Sequence, residues 1–288
     1  MSTMIALFLV FAALVGCAGE TSVNVKNAPP PPPPAVAFLA ETERYEETVR
    51  DEDGTELAVC SYDLPVLRVT AKDGTPVETP ATEEQSRALA AAETFNARFD
   101  QWKSNPKTLA ESAKEDRAFR NESGLESVAY TDDLRCAVYQ TERLISVSGT
   151  YSTYTGGAHP NHILMSWNFD LETGEFFEPE ILDEGGDLRE YVHQALMKEA
   201  RETAAGADMA PRDLYWEDYA DTLSEWLSYA VSFDAEGMTV GFSPYELAAY
   251  AAGPQVFHLG YDQLLPHLGQ HGRALLGLEE AAGEPAER

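Results

Sequence analysis

The run LISVSGTYSTYTGGAHPNHILMSWNFDL, residues 144–171, decides the fold class. In its first part Ile145, Val147, Gly149 and Tyr151 fall on one face, while Ser146, Ser148, Thr150 and Ser152 fall on the other. That period of two is the signature of a strand. In its last part Ile163, Met165, Trp167 and Phe169 share a face, and Leu164 breaks the alternation. Between the two lie Gly156 and Gly157, which permit a tight backbone path. The spacing predicts an antiparallel pair, followed by a turn at DLETGE in which Gly174 takes positive φ.

Outward from this pair the pattern changes period. TEEQSRALAAAETFNARFDQW places Leu89, Ala92, Phe95, Phe99 and Trp102 on one helical face. Thr82 is its cap and Gln85 completes a capping box, and Asn105-Pro106 ends it. Lys107 to Phe119 reads as a second helix. Leu57 to Val69 reads as extended chain broken at Pro65. After the pair, Asp187 and Glu190 mark a helix start, with Leu188, Tyr191, Val192, Ala195 and Leu196 as its stripe. Pro211 to Trp226 reads as helical. LSYAVSFDAEGMTVGFSP reads as a hairpin turning at residues 234–237, YELAAYA as a short helix, residues 254–259 as a strand, and YDQLLPHL as a last helical turn. Helices grouped with antiparallel strands give an α+β fold. A small N-terminal α/β part, residues 41–122, precedes a larger domain, residues 123–268, and residues 269–288 read as a loose acidic tail.

The first residues carry an address. Ile5 to Val15 is an apolar stretch of signal-peptide length, followed by Gly16 and Cys17. LVGC, residues 14–17, looks like a bacterial lipobox, in which the chain is cut before the cysteine and the thiol carries lipid such as palmitate. No Lys or Arg precedes the apolar run, a departure from pattern that leaves an ordinary secretory peptide as the alternative. On the lipoprotein reading residues 1–16 are a signal peptide. Residues 17–40 are then a tether whose unbroken prolines, Pro29 to Pro34, favour extended polyproline helix. Ala18 after the cysteine points to the outer membrane, periplasmic face. An exported compartment permits a disulfide. The expectation is a Cys60–Cys136 bridge, and the alternative is two separate buried thiols.

The 288-residue chain has 20 Lys and Arg against 49 Asp and Glu, a formal charge of -29. That excess argues against nucleic acid, which needs a basic footprint, and favours a basic partner or simple solubility. Reactive constellations are sparse. His159 and His162 are too few for zinc, and residues three apart on a strand face opposite ways. There is no G-x-S-x-G, H-E-x-x-H or phosphate loop in the sequence. The expectation is no metal and no cofactor. Trp216, Tyr219, Trp226 and Tyr229 interleave with acidic residues, which suits either a contact surface or a buried stripe.

Two segments resemble a family. YSTYTGGAHPNHILMSWNFDLETGE resembles the GGAH signature of the DUF3298 family, and FSPYELAAYAAGPQVFHLGYDQLLPHL resembles the end of the same domain. The residues that carry the resemblance are Tyr151, Tyr154, Gly156, Gly157, His159 and His162 in the first, and Pro244, Tyr245, Glu246 and Gly253 in the second. Residues 45–119 look like the smaller DUF4163-type module that precedes it. Relatives of that kind include the extracytoplasmic part of a membrane anti-sigma factor that binds lysozyme. The resemblance implies an exported, lipid-anchored α+β module that binds an envelope protein, such as a basic lysozyme-like enzyme, or cell-wall glycan. A cell-wall hydrolase using His159, and a structural envelope protein, are the alternatives.

Overall fold

A computed structural model of the chain describes residues 36–184 and 186–278. The fold is α+β: a six-stranded sheet, a three-stranded sheet and helices on both. In the large sheet the strand order follows the chain: β1 (Val36–Arg50), β2 (Glu56–Ala71), β3 (Tyr130–Gln140), β4 (Leu144–Tyr154), β5 (Asn161–Asp170) and β6 (Glu175–Phe177). All neighbours are antiparallel except β2 and β3, which run parallel over residues 58–62 and 130–134. A parallel step needs a long crossover. Here it is supplied by α1 (Glu83–Asp100), a 3-10 turn and α2 (Asn105–Glu122). Residues on either side of position 122 therefore share one sheet. β1 begins at Val36, inside the segment read as tether.

The α1 cap forms as its sequence suggests. Thr82 accepts from the Gln85 amide, and the Gln85 side chain reaches back to the Ala81 amide at 2.7 Å. Its apolar face then fills one core. Phe95 and Phe99 are buried against Trp167, Phe169 and Phe176, with ring centroids 5.1–5.7 Å apart for four of the pairs. The break expected at Pro65 is corrected: β2 runs unbroken through it. Asn96 explains why. Its amide accepts from Leu67 N–H at 2.7 Å and donates to Leu67 C=O at 3.0 Å. Leu67 thus turns its polar groups away from β1, and Pro65, two residues earlier, has the same parity. Its missing N–H faces a side where pairing with β3 has already ended at Tyr62.

The small sheet comprises β7 (Ala230–Phe233), β8 (Gly237–Phe242) and β9 (Gln255–Gly260), all antiparallel. It packs with α3 (Leu188–Gly206) in a second core of buried Leu188, Val192, Leu196, Val231, Val240 and Phe257. The serine face of the β4–β5 pair supports it. Ser166 Oγ accepts from Val231 N–H (2.9 Å), Asn168 Nδ2 donates to Val231 C=O (2.9 Å), and Ser146 Oγ accepts from Phe233 N–H (2.8 Å). These side chains satisfy the free edge of β7, which would otherwise present unpaired backbone. Leu164 breaks the alternation because its face of the sheet packs on Gly241, where a Cβ would lie 2.7 Å from the leucine methyl.

Four further expectations are corrected. Pro211 to Trp226 is two short helices, α4 (Pro211–Leu214) and α5 (Tyr219–Ser224), interrupted where Tyr215 bridges Ala248. YELAAYA forms a turn and a short 3-10 segment, Tyr250–Ala252. Asp187 makes no capping bond; it binds His267 Nδ1 at 2.8 Å, and Asp183 accepts from Arg189 N–H instead. Past α6 (Tyr261–Leu264) the segment read as tail continues into α7 (Gln270–Leu276), whose Leu275 and Leu276 are buried. Residues 279–288 of that segment lie outside the described residues.

The Cys60–Cys136 bridge is also corrected: both thiols are free. Cys60 lies opposite Asp132 in the parallel pair, and Cys136 is four residues further along β3. That offset is about 13 Å along the strand, far beyond disulfide reach. Cys17 and the proline tether lie outside the described residues.

Candidate functional site

The two segments that carry the resemblance lie apart in sequence and meet in space. Residues 155–160 connect β4 to β5. Gly156 sits at φ 85°, and a Cβ there would lie 2.6 Å from the Arg120 guanidinium. Arg120 uses the space to donate to Gly156 C=O at 3.1 Å while holding Asp116 at 2.6 Å. The loop is thereby pinned to α2. Next, His159 Nδ1 lies 2.9 Å from Pro160 C=O and donates to it, since a carbonyl only accepts. In the neutral ring Nε2 is then the acceptor, and the Tyr245 hydroxyl approaches it at 3.4 Å.

Tyr250 organises the cluster. Its ring stacks on His159 with centroids 3.8 Å apart and lies 6.2 Å from His162. Its hydroxyl donates to Pro160 C=O at 2.8 Å, the same oxygen that His159 uses. His162 is directly opposite Ser152 in the β4–β5 register, and Nδ1 meets the serine hydroxyl at 2.5 Å. Tyr245 completes the group, 5.5 Å from Tyr250 and 6.4 Å from His159 between centroids.

The turn bearing Tyr245 is held on three sides. Glu246 accepts from Ser243 N–H at 2.5 Å, Tyr245 N–H donates to Ala248 C=O at 3.0 Å, and Ser243 Oγ accepts from Leu164 N–H at 3.1 Å. Trp216 Nε1 donates to Tyr245 C=O at 3.1 Å, and its backbone N–H donates to Leu247 C=O. These ties keep Tyr245 at φ 75°, a region that costs a non-glycine residue about 1–3 kcal/mol. Yet Tyr245 is 54% exposed, and Trp216 beside it is 41% exposed. Pro244 beneath them is buried, and Gly253, at φ 71°, closes the segment.

The other sequence candidates fall elsewhere. Tyr151 packs on Trp102 in the core beneath α2, with centroids 5.1 Å apart, and Tyr154 ends β4 opposite Thr131. Trp226 is corrected as a contact residue: it is fully buried, with Nε1 donating to Arg189 C=O at 3.2 Å. Tyr219 is half-buried against Tyr215. Sequence reasoning missed Tyr250 as the centre of the site; the one signal was its place six residues after Pro244, in the same segment. Among the described residues no group of three or more His, Cys, Asp or Glu is placed to hold a metal, and no helix is long and apolar enough to cross a membrane.

Residues 175–262 match the family described as Protein of unknown function (DUF3298). The matched residues include Tyr245 and Tyr250 and leave out His159. A solved DUF3298 family member from Bacteroides fragilis NCTC 9343 superposes with a TM-score of 0.59 at 15% identity, over 86% of this chain and 99% of its own, a likeness of fold alone. A DUF3298 family protein from Pseudomonas aeruginosa PAO1 gives a TM-score of 0.46 at 15% identity, over 82% of this chain and 96% of its own. No curated protein matches the chain.

Proposed function

We propose that the chain is an exported lipoprotein, attached through Cys17 to the periplasmic face of the outer membrane, whose folded body is a non-catalytic binding module. Its ligand is an envelope protein, such as a basic lysozyme-like enzyme, or a cell-wall component. The observation that carries the binding reading is Tyr245, which is held at an unfavourable backbone angle while the residue stays largely exposed. Strain that persists around an exposed aromatic ring is poorly explained by stability and well explained by contact with a ligand. The resemblance of residues 45–119 to a DUF4163-type module, and of the whole to the lysozyme-binding region of an anti-sigma factor, supports the same reading.

His159 supports binding over acid–base chemistry. One ring nitrogen is taken by Pro160 C=O, the other faces the Tyr245 hydroxyl, and its ring face is covered by Tyr250. A general base needs a nitrogen that can reach a substrate proton.

The test is a titration of the purified chain with lysozyme at low and high salt, repeated with Tyr245→Asn. Binding that weakens with salt and drops in the variant is expected. Equal affinity in the two proteins removes Tyr245 from the interface, and no binding at low salt removes lysozyme as the partner.

A further inference from the structure

We propose that the surface formed by Trp216 and Tyr245 seats an arginine or lysine side chain of a cationic protein partner, a proposal that rests on the binding reading above. The indole and the phenol are joined by the Trp216 Nε1 bond to Tyr245 C=O, and both are exposed. An exposed aromatic pair offers flat apolar area for the stem of a long cationic side chain and an electron-rich face for its head group. What selects a cation over a neutral ring is the charge around the pair. Glu217, Asp218, Asp221, Glu225 and Glu246 are all exposed on the segments that carry the two rings. From Arg212 to Arg273 the sequence contains no Lys or Arg between those two residues. Arg212 pairs with its neighbour Asp213, and among the described residues none of these five carboxylates is in an ion pair, whereas Arg44, Arg50, Arg68 and Arg117 pair with acidic groups on β1, on β2 and in the turn between them.

Three of these carboxylates share a neighbour. Burial, and with it the charges of Glu246, Asp218 and Glu225, pushes the Tyr229 phenol up. Tyr229 packs on Phe242 at 4.6 Å, on the strand that leads into the Tyr245 turn. Three acidic groups, from the α5 region and from the turn, thus act on the one phenol that packs on Phe242. A guanidinium or ammonium arriving there gains both the aromatic face and the unneutralised field. An anionic glycan would meet the same field with the wrong sign.

The experiment is isothermal titration of the full chain at low salt with three probes: an arginine-rich peptide, its neutral citrulline counterpart, and an N-acetylglucosamine oligomer. The expected result is binding of the arginine peptide only, weakened about tenfold by Tyr245→Asn or Trp216→Leu, between the size of an exposed and of a desolvated cation–π contact. Asn tolerates positive φ, so Tyr245→Asn removes the ring without added backbone strain. Asp218→Asn with Glu225→Gln is expected to weaken the peptide similarly, whereas Glu111→Gln on α2, a change of charge remote from the turn in sequence, leaves it unaltered. Equal binding of the citrulline peptide, or equal losses from Glu111→Gln and Asp218→Asn, overturns the proposal. If only the oligomer binds, and through Tyr245, the cationic seat is wrong while the binding reading stands. If no probe binds and lysozyme binds Tyr245→Asn as well as it binds the unaltered chain, the cationic seat is wrong while the binding reading stands; if neither a probe nor lysozyme binds, both are wrong.

Discussion

At the scale of single residues, the two cysteines show how much position matters. Cys136 is half-buried beside Gly149 and Trp167, and burial pushes its thiol up to about 12. Cys60 is fully buried and raised for the same first reason. In an unfolded chain such thiols titrate near about 8.5. Between there and about 12 the folded chain keeps a proton that the unfolded chain has released, so this contribution to stability is complete below the window and is lost as pH rises through it. In a Cys17→Ser chain, alkylation at mild alkaline pH is expected to be far slower when the protein is folded than in denaturant, and to accelerate as pH rises towards about 12. Native and denatured rates that coincide would show the thiols to be accessible. The bridge expected between them illustrates a limit of sequence: cysteine counting conveys compartment but not register, and four residues along a strand decide the matter. Similarly, Gly156 and His159 were legible as a shaped loop because paired glycines leave a mark. Tyr250 was not, because stacking on a residue 91 positions away leaves none.

At the scale of elements, the β4–β5 pair and α1 were readable because one face of each meets the core, which imposes its period on the residues. The opposite face of β4–β5 was harder. Ser146, Ser166 and Asn168 have the composition of a solvated face, yet Ser146 and Asn168 are buried. Their task is to supply β7 with the partners a further strand would have given. Asn168→Ala leaves Val231 C=O without its donor and deprives the Ser146 hydroxyl of its acceptor. Chemical denaturation is expected to show a loss of about 1–3 kcal/mol. An unchanged midpoint would mean that β7 is held by its apolar side alone. The α4–α5 segment reads as one helix in sequence because its aromatic spacing fits a helical stripe. The structure interrupts it at Tyr215, where pairing with Ala248 carries the chain past the Tyr245 turn. That detour is what brings Trp216 into the site.

At the scale of the molecule, the parallel step between β2 and β3 organises the whole. The residues matching the family, 175–262, begin in β6 and end in α6, so five strands of the large sheet lie before them. The sequence puts a boundary near position 122, where the helical pattern gives way to strands, and carries no sign that strands from both sides pair. The change is real as a crossover: residues 123–126 are exposed between α2 and β3. A protease that nicks this link is expected to leave both pieces eluting together on size exclusion under native conditions, because the cut passes through no ladder hydrogen bond. Separation of the pieces would show the parallel ladder and the α1 packing to be too weak without the covalent link.

A strand pair joined by a two-residue hairpin cannot be supplied as separate polypeptides without losing its tight connection, whereas a parallel pair has no such connection to lose. The polypeptide can therefore be encoded as two genes divided at Gly124, each product fused to half of a reporter. Reconstitution of the reporter would then report directly on the docking of the first two strands and their helices onto the remainder.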